Sequence, residues 1–177
     1  MDQANAYGGI SHVVPAPLAQ PGLGLVVRSR FGSNWPESVS FYVPGTPVGK
    51  GRPKFARRGK VVTAYTPEKT ASYENLVKTI AYEAMRGRPL FECAVGVWIS
   101  LSILPPASWS AKKRSAALAG SIFPTTKPDI DNTQKCILDA CNGIVFVDDK
   151  QACDGVVTKR YAAEVGAMVI VTPLIPK

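Results

Sequence analysis

Alternating apolar and polar residues predict strands at several places along the chain. Residues 39–43 alternate in this way, as expected for a strand with one buried face. Residues 95–103 continue the alternation further and give the clearest strand of the sequence, which we place at the centre of a sheet. Nearer the C-terminus, residues 156–161 and 167–171 predict a hairpin that turns around residues 164–166.

Apolar residues at helical spacing predict three helices. The Thr66-Pro67 pair begins the first helix, whose apolar stripe continues to about Met85. A second helix, short and basic, covers residues 110–118, and a third runs from about residue 133 to residue 141. Together with the strands, these helices predict an α/β (α+β) domain in which two or three helices pack on a mixed β-sheet.

The first 38 residues show no sustained apolar period and are rich in glycine, proline, alanine and serine. We therefore expect residues 1–38 to be an irregular or partly disordered extension, followed by a folded domain in residues 39–177. The alternative is that this extension packs across a second copy of the chain. The total length of 177 residues suits one domain with a sizeable core.

The chain carries a net charge of +8, which favours a polyanionic partner such as nucleic acid or an anionic membrane surface. The sequence has no apolar run long enough to cross a membrane, and its N-terminus does not resemble a signal peptide. We therefore expect a cytoplasmic protein with no membrane partner. Four cysteines without C-x-x-C spacing and a single histidine disfavour a zinc site.

Basic residues concentrate in residues 50–60, where glycine and proline oppose a helix and Phe55 supplies an aromatic ring. We predict a loop that contacts DNA phosphates and uses Phe55 to contact or wedge a base; the alternative is a solvated loop. The second predicted helix and the predicted hairpin add two smaller basic patches. The candidate DNA-binding residues are Lys50, Arg52, Lys54, Arg57, Arg58, Lys60, Lys112, Lys113, Lys159 and Arg160.

Acidic residues gather in residues 127–151, which hold five of the thirteen acidic residues of this basic chain. If residues 128–131 are extended, Asp129 and Asp131 point to the same side, about 6.6 Å apart along the strand. Their carboxylates would then share one metal ion or bridge a close pair of ions. Asp131 or Asn132 would cap the third helix.

A lysine lies among these acidic residues. Asp131, Lys135 and Asp139 are spaced four residues apart and therefore share one face of the third helix. A lysine at such a place stabilises the charge that develops on a phosphate during cleavage. The alternative is that Lys135 is an ordinary salt-bridge partner and the aspartates are helix caps.

The second part of the acidic stretch begins after a tight turn at Asn142-Gly143. Residues 144–147 predict a short buried strand that delivers Asp148 and Asp149 back towards the first acidic pair. The alternative is a solvated turn. Hard oxygen ligands of this kind suit Mg²⁺ or Mn²⁺, and the whole arrangement favours a divalent-metal site for phosphodiester cleavage.

Several motifs of the chain resemble, in order and in spacing, those of the RusA family of Holliday junction resolvases, over about residues 39 to 172. The core motifs are Lys127-Pro128-Asp129-Ile130-Asp131-Asn132, Lys135, Asp139-Ala140, Asn142-Gly143 and Asp148-Asp149-x-Gln151. The accompanying motifs are residues 43–53, Tyr65-Thr66-Pro67-x-Lys69-Thr70, Trp109-Ser110-x-Lys112-Lys113 and Lys159-Arg160-Tyr161.

The resemblance implies a catalytic role for four residues. The family's metal-binding carboxylates fall on Asp129, Asp131 and Asp149, and its catalytic lysine falls on Lys135. Three further residues are expected to support the site. They are Asn132, Asp148 and Asp139.

The same resemblance implies a homodimeric, phage- or prophage-encoded hydrolase of a bacterial host cell. Its expected activity is Mg²⁺-dependent cleavage of four-way DNA junctions by paired nicks, in DNA recombination and repair, with Mn²⁺ as a possible substitute. Two alternatives stay open at this point. One is a nuclease for a broader range of branched or flapped DNA, and the other is a catalytically inactive junction-binding protein.

Overall fold

A computed structural model describes residues 10–11, 28–29, 38–52, 54–58 and 61–174. The chain divides into two compact units, Met1–Glu37 and Ser38–Lys177. In the first unit, the two-residue strands β1 (Ile10–Ser11) and β2 (Arg28–Ser29) pair antiparallel. Of the predicted N-terminal extension, residues 1–9, 12–27 and 30–37 lie outside the described part of the chain.

The second unit contains a four-stranded mixed sheet, a separate hairpin and three α-helices. The strands of the sheet are β3 (Val39–Pro44), β6 (Val95–Ile103), β7 (Ala152–Tyr161) and β8 (Gly166–Pro173). The hairpin strands are β4 (Lys54–Arg58) and β5 (Val61–Tyr65). The helices are α1 (Glu68–Met85), α2 (Ala111–Leu118), α3 (Ile130–Cys141) and a single 3₁₀ turn at Asp149–Gln151.

The sheet has the strand order β3-β8-β6-β7. Strand β6 pairs antiparallel with β8 on one side and parallel with β7 on the other, so the sheet is mixed. The predicted α+β class and the interior place of the clearest strand are therefore confirmed.

Two helices cover the sheet because each has one apolar face. The buried residues of α1 recur every three or four positions, beginning at Thr70 and ending at Met85, and α3 buries Ile137 and Cys141 in the same manner. Helix α1 packs against both α3 and β3. These helices therefore close the core, with the middle of α3 beside the first half of α1, where Cys136 Sγ lies 3.9 Å from Glu74 Oε1.

The predicted hairpin between residues 156–161 and 167–171 is wrong, because β7 and β8 lie on opposite sides of β6. The burial of the two strands explains the crossing. Strand β8 is apolar and largely buried, which suits an interior position, whereas β7 is mostly exposed or half-buried and forms an edge.

Two further sequence predictions of local structure are wrong. Residues 144–147 form a turn in which Val145 and Phe146 are buried, with isolated bridges at Phe146 instead of a strand. The Val145 N–H donates to the Cys141 carbonyl, so the turn is a direct continuation of α3. Within the basic segment 50–60 that was predicted as a loop, residues 54–58 form β4, which pairs with β5, whereas residues 50–52 have no regular secondary structure.

The four cysteines fall into a buried pair and an exposed pair. Cys136 and Cys141 are buried beside the helix interface, whereas Cys93 and Cys153 are exposed, and all four are free. Burial raises the pKa of Cys141 to about 12, so this thiol stays protonated at neutral pH. Among the described residues, no helix is both long enough and apolar enough to cross a membrane.

Candidate active site

The first turn of α3 carries two of the candidate acidic residues. Asp129 has extended backbone angles and is the N-cap, since its carbonyl accepts from the N–H and the Oγ1 of Thr133 at 3.0 and 2.8 Å. The predicted extended segment 128–131, with Asp131 or Asn132 as the cap, is therefore wrong. Asp129 and Asp131 are both exposed, and the helix N-terminus favours negative charge there.

Lys159 fixes the segment that leads into this turn. Its Nζ donates to the carbonyl oxygens of Thr126 and Pro128, at 2.6 and 2.9 Å. Two of the three N–H donors of this lysine are thus used inside the protein. The contacts favour a structural role for Lys159 over the phosphate contact expected from its charge.

Lys135 lies one turn further along α3 and joins the two acidic parts of the sequence. Its Nζ is 2.7 Å from Oδ1 of Asp139 and also forms a salt bridge with Oδ2 of Asp149. The helical face predicted for Lys135 and Asp139 is present. The pairing with Asp149 brings together residues from α3 and from the 3₁₀ turn.

Gln151 holds the 3₁₀ turn that presents Asp149. Its Oε1 accepts from the N–H of Asp148, while its Nε2 donates to the carbonyls of Phe91 and Cys93 at 3.0 and 2.7 Å. Asp148 caps the turn by accepting from the Lys150 N–H, which lowers the pKa of Asp148. Asp148 is therefore a structural cap. Gln151 positions Asp149, although the sequence indicated Gln151 only as part of a motif.

A second lysine extends the ion-pair network away from the exposed acidic residues. Lys50 Nζ lies 2.5 Å from Oε1 of Glu74 on α1 and 2.8 Å from Oδ2 of Asp139 on α3. Sequence reasoning placed Lys50 among the DNA contacts and did not single out Glu74. The only signal for Glu74 was an acidic residue next to Tyr73, on the inward side of an amphipathic helix.

The pKa values of Asp139, Lys135 and Lys50 are shifted in the directions that keep these three groups charged near neutral pH. Partial burial of Asp139 acts to raise its pKa, but hydrogen bonds from Lys135 and Lys50 outweigh burial, and the pKa lies below the ordinary value. The pKa of Lys135 is raised, mainly by its hydrogen bonds to Asp139 and Asp149. Burial acts to lower the pKa of Lys50, and its two acidic partners raise it above the ordinary value.

The remaining candidate DNA-binding residues occupy three places. Arg52 is exposed, and the backbone of Lys54, Arg57 and Arg58 forms β4; Lys60 lies outside the described residues. Phe55, on the same strand, is 71% exposed, which suits a residue that contacts DNA.

The other two places are α2 and the end of β7. Lys112 on α2 is exposed, and Lys113 lies over the ring of Trp109 at 4.0 Å. Arg160 stacks over the ring of Phe123 at 4.5 Å. Such contacts orient the two cations while leaving them at the surface.

The donor chemistry of the site fits Mg²⁺, because Asp129, Asp131 and Asp149 offer only hard carboxylate oxygens. In the part of the chain that the structure describes, no three His, Cys, Asp or Glu side chains are grouped closely enough to form a metal site. Asp149 is paired with Lys135 instead. Metal binding by all three aspartates therefore requires a rearrangement of side chains around Lys135.

The chain matches the sequence model of the endodeoxyribonuclease RusA from residue 44 to residue 172, which is more than half of its length. It is also 33% identical over 132 residues to the uncharacterized protein YqaN of Bacillus subtilis (strain 168), a match that covers 72% of this chain and 91% of that protein. The chain therefore belongs to the RusA family of endodeoxyribonucleases. The family resemblance predicted from the motifs is confirmed.

Proposed function

We propose that this protein is a Mg²⁺-dependent endonuclease that resolves four-way DNA junctions by paired nicks. The observation that carries the proposal is the salt bridge between Lys135 and Asp149, which unites the two acidic halves of the sequence. Asp129 and Asp131 are exposed in the first turn of the helix that carries Lys135, and in the proposed metal-bound state their carboxylates would move towards Asp149. Membership of an endodeoxyribonuclease family supports the same chemistry.

Each residue has a separate role in the proposed reaction. Asp129, Asp131 and Asp149 would hold Mg²⁺, or Mn²⁺ in its place. When bound, the metal supplies an activated water and neutralises charge at the phosphate. Lys135 donates hydrogen bonds towards the charge that develops on the cleaved phosphate, and its raised pKa keeps it protonated for that role.

Substrate binding is proposed to rest on phosphate contacts. Basic residues on β4 and on α2 would contact the phosphates of a DNA backbone. A protein that binds in this way recognises the shape of a branched DNA more than its sequence. The net charge of +8 supports this mode of binding.

A homodimer suits the proposed substrate. A four-way junction is close to two-fold symmetric, and its resolution needs two symmetric cuts. An isologous dimer with one acidic site in each subunit would place two sites in that relationship. Light scattering of the protein, alone and bound to a junction, tests this part of the proposal. The expected mass is that of two chains for the free protein and of two chains plus one junction for the complex.

The main test is cleavage of a synthetic immobile four-way junction compared with a linear duplex of matched sequence. Wild type and Asp131→Asn are assayed with Mg²⁺ and with EDTA. Paired nicks in the junction alone, lost in EDTA and in the variant, are the expected result. Equal cutting of flaps and other branches would indicate a broader nuclease, and binding without nicks would indicate an inactive junction-binding protein.

A further inference from the structure

The segment Gly49-Lys50-Gly51 runs in direct contact with both α1 and α3. The Lys50 N–H donates to the Asn132 carbonyl in the first turn of α3 at 2.7 Å, and the Gly51 N–H donates to Thr70 Oγ1 on α1 at 3.3 Å. A Cβ at position 49 would lie 3.0 Å from the Asn132 Cβ, and one at position 51 would lie 2.9 Å from the Thr70 Oγ1. Glycine at both positions therefore permits this close approach.

The side chain of Lys50 continues between the same two helices. Its ammonium contacts Glu74 on α1 and Asp139 on α3, and two-thirds of the side chain is hidden from solvent, since 33% is exposed. Asp139 in turn uses one carboxylate oxygen for Lys50 and the other for Lys135. The orientation of the Asp139 carboxylate is thereby fixed from both sides.

We propose that Lys50 and Glu74 are positioning residues that act through Asp139 to hold Lys135 at the candidate active site. This inference rests on the proposed function. The charge balance gives the reason: without Lys50, Glu74 and Asp139 would be neighbouring carboxylates with no cation between them. Lys135 would then be drawn towards these two carboxylates and away from Asp149 and the reacting phosphate.

The competing role for Lys50 is a direct phosphate contact, as its place in a basic segment first indicated. The two roles differ in what they predict. A phosphate contact contributes to junction affinity and to its salt dependence, regardless of Lys135. A positioning residue contributes to the cleavage rate at saturating enzyme, and only while Lys135 is present.

The experiment combines Lys50→Met, Lys135→Met and the double variant. Methionine retains the apolar stem of lysine and removes the ammonium. Lys78→Met is the matched control, because Lys78 is an exposed lysine on α1, one turn beyond Glu74. Junction affinity and its salt slope are measured in EDTA, and single-turnover cleavage is measured with Mg²⁺ at saturating enzyme.

We expect Lys50→Met to slow cleavage by about 10- to 100-fold, the scale typical of a misplaced catalytic group. Junction affinity of Lys50→Met should change less than about twofold. For Lys78→Met, the cleavage rate and the junction affinity should each change less than about twofold. In the Lys135→Met background, Lys50→Met should have no further effect. If Lys50→Met instead binds the junction more weakly, with a smaller salt slope and an unchanged cleavage rate, Lys50 is a phosphate contact. If the rate loss of the double variant is the product of the two single losses, Lys50 and Lys135 act independently.

Two further measurements keep the inference testable on its own. If Lys50→Met does not fold, Glu74→Gln is assayed in its place and should show the same dependence on Lys135 with a smaller rate loss. The NMR signal of the Lys135 ammonium should shift in Lys50→Met and stay fixed in Lys78→Met. If wild type cuts no branched DNA, the proposed function fails, whereas an unmoved ammonium signal overturns the positioning role itself.

Discussion

Lys135 on α3 forms a salt bridge with Asp149 in the 3₁₀ turn, across the turn that follows the helix and buries Val145 and Phe146. The same ammonium contacts Asp139, so two carboxylates hold it at the surface beside the exposed acidic residues. One lysine therefore connects the helix that carries Asp129 and Asp131 with the turn that carries Asp149.

Replacing Lys135 by methionine should remove a hydrogen-bond donor for the transition state. We expect the single-turnover cleavage rate of a four-way junction to fall by about 100-fold or more. Junction affinity in EDTA should change little, since one exposed charge makes a small contribution to binding. An unchanged cleavage rate would exclude the proposed role of Lys135.

Asp131→Asn should abolish cutting while junction binding is kept or tightened. The substitution removes a metal-binding oxygen and, at the same time, a negative charge that repels phosphates. Since Asp131 is exposed in the first turn of α3, the loss of its interaction with the helix N-terminus should cost only about 0.3–1 kcal/mol of unfolding free energy. Cleavage, gel-shift binding and thermal unfolding are measured on the same preparation. A variant that loses both folding and binding would show that Asp131 is structural.

The local parts of the fold were predictable from sequence, because alternation and helical spacing report which faces are buried. Strands β3 and β6 and helix α2 lie where the pattern placed them, within one residue. The crossing of β7 and β8 was not predictable in this way. Alternation within a strand shows which side chains are buried, but it does not identify the neighbouring strand.

The candidate site was predictable only in part, for a similar reason. Lys135 and Asp139 are four residues apart, and helical geometry alone brings them together. Lys50 and Glu74 reach the site from a loop and another helix, and these contacts depend on tertiary packing. The N-cap was misplaced because Asp129, Asp131 and Asn132 are all good capping residues, and sequence alone does not choose among them.

Gln151→Ala should destabilise the protein and disturb Asp149. The variant loses the bonds to the carbonyls of Phe91 and Cys93 and one half of the capping box. We expect a loss of about 1–3 kcal/mol in the free energy of unfolding, because the partly buried Phe91 carbonyl and Asp148 N–H lose Gln151 as a partner. Urea unfolding is the measurement, and Lys150→Ala, an exposed neighbour in the same turn, is the control. Equal stability of the two variants would contradict the role given to Gln151.

The basic strand β4 should account for part of the salt dependence of binding. If Arg57 and Arg58 each contact a phosphate, the double alanine variant should lower the slope of log affinity against log salt by about 0.9 per contact. Fluorescence anisotropy of a labelled junction at several salt concentrations measures this slope. An unaltered slope would remove the hairpin from the DNA interface.

The same hairpin carries Phe55, whose ring is proposed to contact a DNA base instead of a phosphate. Its ring is 71% exposed, so it is available to stack on an unpaired base. Phe55→Ala should weaken junction binding by about 1–3 kcal/mol, with the salt slope unchanged, because stacking releases no counterions. Equal loss of affinity for the junction and for a linear duplex would argue against a specific contact at the branch.

Asp139 should make the stability of the protein depend on pH in a defined direction. Because the folded pKa of Asp139 is lowered, its stabilising contribution is present above the ordinary carboxyl pKa of about 3.9 and is lost as pH falls through the folded value. Lys50 and Lys135 have raised pKa values, so their contribution persists until pH rises above the ordinary lysine value of about 10.4. The charges of Asp139, Lys50 and Lys135 should therefore all be present between about pH 5 and pH 9.

Asp139→Asn tests this expectation, because asparagine keeps the shape of the side chain and removes its charge. Near pH 7 the variant should be less stable than wild type by roughly 1 kcal/mol, a value limited by the solvent exposure of Lys135. The difference should stay level to about pH 5, shrink below about pH 4 and vanish once Asp139 is protonated in the folded wild type. Urea unfolding across this range is the measurement, with Glu83→Gln, an exposed acidic residue on α1, as the control. A stability difference that is constant or grows towards acid pH would mean that the charge of Asp139 does not stabilise the network.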